Sequence, residues 1–472
     1  MRRITFFIAA TLFQCILMLA YSQTGQDSWS KSDFDSIGAT ILENGNVLGF
    51  SISIDSAGTT IYNGAFGFTD AEKNNPVTKD TRFDIASISK LVGVNIIMKM
   101  IEDGVLSLDQ TLDELIPGFP ERELAQKIQL KHLLSHTSGL QDYALQIHGD
   151  FIATGKTPTK LDFLGFYNGK ELVFEPGTHY QYTNAGFMMM AFIAENVSKK
   201  SWQTLINEFI NQPANLDFQL LKYVGDSPQL APIYEFTETN SSVASDERQF
   251  RKLPLWDYVI GDGGLTISTE MLAKFPTDWT SGKIIEQNSY KSMITPYYLE
   301  NGVRTGYGLG VRNGEFLGEK MVGHTGGWKS TYAMLAYLPE HDISFAGLMN
   351  TDGTPTEMTY ILSQFMRSFL GKSRPDYKSN AHNLKEPENF IGEYRGYGQY
   401  NKEPETITIK LKENQLYYCM YGSCEPLYYM GENRFWLEIY PHDFIEFQIE
   451  EKTMAIREYY YGFFQTLRTK QD

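Results

Sequence analysis

The sequence predicts a chain of two parts: a large α/β (α+β) domain followed by a small all-β domain. Three observations carry this. A length of 472 residues exceeds one compact core, and hydrophobics at 42% with aromatics at 14% suffice for two. Strand-like alternation occurs over 47–54 and 60–68 and returns from 307 to 349, with mostly helical patterning between. After Gly371-Lys372-Ser373-Arg374-Pro375, a run of charge and turn formers, the texture changes to short alternating strands.

Taken in order, the chain opens with Arg2 and Arg3, an apolar run over 4–20, and small residues at Ala20-Tyr21-Ser22. This is the pattern of an export signal over 1–22, and it places the mature protein in the periplasm or outside the cell. Gln14, Thr5 and Thr11 dilute the run, which is short for a retained span, so no stable membrane span is expected after cleavage. Residues 34–42 suit a helix, and the strands at 47–54 and 60–68 turn at Ser56-Ala57-Gly58. Short helices are expected at 109–116 and 124–134, and an apolar one at 185–193. Residues 226–251 carry little apolar pattern and are expected to wrap the surface. Strands follow at 307–311, 321–324, 330–338 and 343–349, then a closing helix at 354–370. These bounds make 23–371 one domain, 372–384 a linker and 385–472 a meander or barrel, in which Ile407, Ile409 and Leu411 alternate with Thr408 and Lys410.

The net charge of −16, with no basic stripe, argues against nucleic acid as a partner. Cys15 falls within the leader. Cys419 and Cys424 flank Met-Tyr-Gly-Ser, a plausible hairpin turn; an oxidising compartment allows them to pair, and adjacent strands equally hold two free thiols.

The chemistry starts at Phe83-Asp84-Ile85-Ala86-Ser87-Ile88-Ser89-Lys90, which runs into the proline-free apolar stretch 91–98. A helix starting near Ser87 and ending near Gly104 stacks Ser87 and Lys90 at i and i+3 on one face. A hydroxyl and an amine held so close can act as nucleophile and base. The helix N-terminus adds N–H groups and partial positive charge for a developing oxyanion. The competing reading makes Ser87 a plain helix N-cap. A chain of this length contains roughly two S-x-x-K matches by accident. The other one, Ser28 to Lys31, lies in a polar run with no apolar helix behind it and reads as that accident.

Two more motifs complete the set. Tyr182-Thr183-Asn184 precedes the apolar helix at 185–193 and is the only Y-x-N in the chain. Gly323-His324-Thr325-Gly326-Gly327 ends a predicted strand, whereas the similar Arg304-Thr305-Gly306 precedes one. In this order the motifs resemble the class C β-lactamase-like, penicillin-binding family of serine hydrolases, which includes D,D-carboxypeptidases, D-aminopeptidases and esterases. Leu133-Leu134-Ser135-His136-Thr137-Ser138-Gly139-Leu140, Phe174-Glu175-Pro176-Gly177, Gly263-Gly264-Leu265 and Tyr307-Gly308-Leu309-Gly310 strengthen the resemblance. Separately, Phe390-Ile391-Gly392-Glu393-Tyr394 is similar to the opening of a lipocalin-like accessory domain.

The resemblance implies an antiparallel sheet flanked by helices, an all-helical lobe beside it, and a site between them. It implies Ser87, Lys90 and Tyr182 as catalytic residues, with Asn184, His324, Thr325, Gly326 and Gly327 binding substrate. Ser87 would form an acyl-enzyme that water cleaves. One departure stands out: most penicillin-binding members carry lysine where this chain has His324. A neutral imidazole is a weaker fixed charge toward the substrate and Tyr182, which favours peptidase or esterase work over strong β-lactamase activity.

The expected function is an exported serine hydrolase of small amides or esters, with D-amino-acid peptides as one class. The alternatives are a carboxylesterase or weak β-lactamase of the same fold, and a non-catalytic module that binds peptides or cell-wall fragments. No cofactor is implied. His132 and His136 have the spacing of a zinc pair, but Leu133 stands where such a site needs glutamate, so no metal is expected either. Asp262, within Gly261-Asp262-Gly263-Gly264, reads as a turn residue. All three motifs precede residue 330, so the β domain is expected to be dispensable for the chemistry while helping stability or substrate access.

Overall fold

A computed structural model describes residues 29–45, 47–225, 227–237, 249–328, 331–352, 357–373, 375–378, 384–437, 444–450, 453–460 and 462–471. The export signal, Cys15 and Ser28 lie outside these residues.

Six strands form the central antiparallel sheet: β1 (Gly49–Ser56), β2 (Thr59–Gly67), β3 (Arg312–Phe316), β4 (Glu319–Trp328), β5 (Thr331–Leu338) and β6 (Ile343–Met349). Their order is β3-β4-β5-β6-β1-β2, so the N-terminal hairpin closes onto the last strand, with Phe50 opposite Met349 and Ser56 opposite Ile343. Every residue of β6 is buried, because both faces of the sheet are covered. Ile343, Phe345 and Met349 point to one core, which is shared with the helices α1 (Lys31–Asn44) and α5 (Met358–Leu370). Ala346 and Leu348 point to the other, shared with α2 (Ile88–Glu102), α3 (Ala185–Ser198), α4 (Thr269–Thr280) and the helical lobe. This is the period-2 alternation of a strand read from both sides.

Two expectations are corrected. Residues 307–311 are not a strand. Gly310 takes φ +71° against Val94, and the Leu309 and Gly310 N–H groups donate to Met293 and Leu134 carbonyls instead of to a ladder. The stretch 124–134 splits into Arg122–Ala125 and Leu130–Leu134, since Ile128 turns its carbonyl to Leu112 N–H. The run around Ser28 also differs from its reading: Ser30 caps α1 with a reciprocal Asp33 bond, and Lys31 begins that helix.

Helix α5 ends at Leu370, with Gly371 left-handed at its C-terminus, and a 3₁₀ turn at Pro387–Phe390 opens the second unit. Eight strands follow in meander: β7 (Gly392–Gly396), β8 (Glu405–Lys412), β9 (Gln415–Met420), β10 (Ser423–Gly431), β11 (Arg434–Leu437), β12 (Phe444–Ile449), β13 (Met454–Tyr460) and β14 (Phe463–Lys470). Pairing of Tyr394 with Lys470 closes β7 onto β14, making a barrel filled by Tyr394, Ile407, Ile409, Phe435, Ile445 and Ile456. Cys419 and Cys424 are directly opposite in the β9–β10 hairpin and form a disulfide. The barrel is joined to the first unit. Phe444, Tyr459, Phe464 and Leu467 pack into the large core, and Phe463 pairs with Gly314 at the edge of the central sheet.

Candidate active site

The strand Arg82–Asp84 pairs with Leu265–Ser268 and delivers the chain to a sharp bend before α2. Ala86 is forced to φ +43°, an unfavourable conformation for a residue with a Cβ, and the Asp84 carboxylate holds it by accepting the Ala86 N–H at 2.8 Å. Ser87 follows as the residue flanking α2, yet its hydroxyl makes no capping bond. It accepts instead from Lys90 Nζ at 3.0 Å. The plain N-cap reading of Ser87 does not hold.

Lys90 is fully buried. Its remaining two N–H groups donate to Asn184 Oδ1 and to the Asp262 carbonyl, both at 2.8 Å, so all three donors are used and none meets a carboxylate. Asn184 stands at the start of α3 and is fixed by its own N–H, which donates to Asp142 Oδ2 at 2.7 Å. Tyr182 lies beside Lys90, whose Nζ is 5.2 Å from the ring centroid. The four residues meet at one site, Ser87 and Lys90 as their spacing implied and Tyr182 and Asn184 as the resemblance implied.

The H-T-G stretch lies on β4, and alternation divides it. Thr325 and Gly327 line the cavity that contains Ser87; Gly326 is buried, and an added Cβ there would stand 2.4 Å from the Ile85 carbonyl oxygen. His324 departs from its expected place. It is fully buried and is not among the cavity-lining residues. Its Nδ1 lies 2.5 Å from the Thr325 carbonyl, which can only accept, so Nε2 accepts from the Tyr307 hydroxyl at 3.0 Å. Burial, with Arg312 and Lys90 nearby, holds its pKa well below the usual imidazole range, and the ring is neutral.

The positive charge that His324 does not provide comes from Arg312. This residue begins β3 and is buried. Its guanidinium lies 4.7 Å from the Tyr182 ring centroid and lines the same cavity. Nη1 donates to the Phe464 carbonyl of the barrel, and Nε has no acceptor among the described residues. Sequence reading missed Arg312, because a single arginine after an apolar run gives no sign of where its head group ends.

Asp262 is also more than a turn residue. Gly261 and Gly264, at φ +83° and +80°, do make a turn, and that turn aims the Asp262 carbonyl at Lys90. Its carboxyl accepts from Tyr143 at 2.6 Å and is pushed up to about 6 by burial. His136 packs its ring against Tyr182, Phe187 and Tyr307 and takes the Thr183 N–H on Nδ1.

The cavity is about 210 Å³. His148, Trp256 and Trp328 form an aromatic wall, with His148 centroids 4.9 and 5.1 Å from the two indoles. Gln399 and Tyr400, from the barrel loop between β7 and β8, line it as well. The barrel thus contributes to the cavity wall, in line with the part in substrate access expected of it.

Residues 34–362 match the family model described as Beta-lactamase. The chain belongs to that family. It is a serine hydrolase. A penicillin-binding protein of Bacillus subtilis (strain 168) is 27% identical over 332 residues, 68% of this chain and 70% of the relative. A D-aminopeptidase of Brucella anthropi is 24% identical over 320 residues, 66% of this chain and 58% of the relative. The solved octameric penicillin-binding protein homologue from Pyrococcus abyssi aligns with 94% of this chain and 100% of its own, at TM-score 0.63 and 24% identity. The D-amino acid amidase from Ochrobactrum anthropi SV3 aligns with 72% of this chain and 96% of its own, at TM-score 0.57 and 19% identity. Both structures share the fold of the beta-lactamase family. Among the described residues, no helix is long and apolar enough to cross a membrane.

Proposed function

We propose that this family member hydrolyses small amides or esters through an acyl-enzyme on Ser87, acting after export on substrates that carry a carboxylate, D-amino-acid peptides among them. The observation that carries the reading is the 3.0 Å contact from buried Lys90 Nζ to Ser87 Oγ at the floor of the cavity. In its neutral amine form Lys90 keeps its two N–H bonds to Asn184 Oδ1 and the Asp262 carbonyl and turns its lone pair to Ser87. Ser87 Oγ attacks the carbonyl carbon as its proton passes to Lys90 and on toward Tyr182. The bond to the amine or alkoxide breaks, and the leaving group takes the proton. Water then attacks the ester and returns Ser87. The N–H groups of Ser87 and Gly327 receive the oxyanion. Arg312 offers a fixed charge to a substrate carboxylate, and Trp256, Trp328 and His148 offer an apolar face to its side chain. The D-configuration is supported by the relatives that act on D-amino acids, and export by the leader and the Cys419–Cys424 disulfide. A non-catalytic binding module has no use for a bent, strained approach to a serine paired with a buried lysine.

The test is labelling with a fluorophosphonate, followed by peptide mapping. The label is expected on Ser87 alone. Ser87→Ala should lose both label and turnover of a D-alanyl dipeptide and a nitrophenyl ester. Turnover that survives Ser87→Ala refutes the assignment.

A further inference from the structure

We propose that Tyr400, backed by Gln399, is the partition that limits substrate length, so that a loop of the barrel sets the specificity of the hydrolase domain. The proposal rests on Ser87 being the nucleophile. Gln399 and Tyr400 line two cavities, and among the described residues they alone are common to both linings. One cavity holds Ser87. The other, about 150 Å³, is lined mostly by polar side chains, Gln141, Gln146, Lys170 and Lys402 among them, which makes it a place for a further polar residue of a longer substrate.

The loop is clamped to the hydrolase domain along its length. The buried Gln181 side chain donates to the Gly398 and Asn401 carbonyls, both at 2.7 Å, bracketing the two partition residues. The Gln399 side chain lies close enough to the Asp142 carboxylate to favour its charged form, and that carboxylate is the group that fixes Asn184. Tyr397 packs its ring 5.1 Å from Phe174 and 5.4 Å from His179. Three anchors over five residues make this stretch a fixed wall. Tyr400 lines both spaces while it keeps 39% of its surface exposed, so it stands at the mouth between them. Removing the ring joins the two spaces and leaves Ser87, Lys90 and Arg312 in place.

The experiment uses the full-length chain with Tyr400→Ala, Tyr400→Ser and Tyr400→Phe. The quantity read is the ratio of kcat/KM for a long substrate to that for a short one. Two series are measured: acetyl-glutaminyl-D-alanine 4-nitroanilide against acetyl-D-alanine 4-nitroanilide, and D-alanyl-glutamine against D-alanine amide, so that extension by a polar residue on either side of the scissile bond is covered. In both small-residue variants the ratio should rise roughly tenfold or more in one series, as expected when an added residue gains a pocket that hydrogen-bonds it. Tyr400→Phe should keep the wild-type ratio. Leu145→Trp, at an exposed lining position of the second cavity, should cancel the gain when combined with Tyr400→Ala. A ratio within twofold of wild type in both series refutes the partition. So does an equal rise in Tyr400→Phe, or a gain that Leu145→Trp leaves untouched. Failure of the Ser87 assignment shows separately, as hydrolysis surviving Ser87→Ala.

Discussion

Replacing Gly326 with alanine puts a methyl group where β4 lies against the bend that presents Ser87. The new Cβ would stand 2.4 Å from the Ile85 carbonyl oxygen, with Ala333 Cβ at 3.2 Å and Ala86 Cβ at 3.3 Å closing the other directions. Backbone cannot rotate aside as a side chain can, so strand and bend must separate by at least about 0.6 Å to reach even the 3.0 Å limit of real contacts. That displacement carries Thr325 and Gly327 away from Ser87. A misplacement of about 1 Å costs about 100-fold in rate, so a loss of roughly 30–100-fold in acylation is expected. Overpacking should also destabilise by about 1–3 kcal/mol, lowering Tm by several degrees. Gly327→Ala is the matched control. Its Cβ meets only the Tyr332 ring, at 3.2 Å, and that ring can yield, so the loss should be a few-fold at most. The assay is the second-order rate of fluorophosphonate labelling by intact mass, with Tm by calorimetry. The reasoning fails if Gly326→Ala labels within threefold of wild type, or if Gly327→Ala loses as much.

Two further outcomes follow from the charges. Arg312→Met should lower kcat/KM for carboxylate-bearing substrates by roughly 5–30-fold relative to neutral esters, since one partly screened charge at this range contributes about 1–2 kcal/mol; equal losses for both substrate classes would show that Arg312 is structural. Asp262 titrates at about 6 in the fold and at 3.8 outside it, so the folded state holds the extra proton between these values and stability falls as pH rises through them. Asp262→Asn keeps an acceptor for Tyr143 and should therefore raise stability at pH 8 by up to about 3 kcal/mol, an advantage that fades below pH 4. Urea unfolding at both pH values checks this, and a pH-independent difference would refute it.

What the sequence determined by itself is what depends on near neighbours along the chain. Ser87 and Lys90 sit one helical turn apart, Tyr182 and Asn184 straddle the entry to an apolar helix, and alternation marks the strands of the barrel. Each follows from the 3.6- and 2-residue periods of local structure. The same period could have placed His324 correctly: if Thr325 and Gly327 face the cavity, His324 and Gly326 face away. Contacts between distant segments were decided by tertiary structure alone. The Asp262 carbonyl that takes Lys90 is 172 residues away from it, and the Gly398 carbonyl held by Gln181 is 217 residues away. Nothing local marks Arg312 as the cation of the site or Tyr400 as its wall. Their roles exist only because the barrel folds back onto the cavity, supplying the acceptor for Arg312 from Phe464 and a loop for Gln181 to grip. Hydrophobic pattern sets which face of a strand or helix is buried. Which buried groups then meet is set by how the packed layers fit together, and no window along the chain contains that.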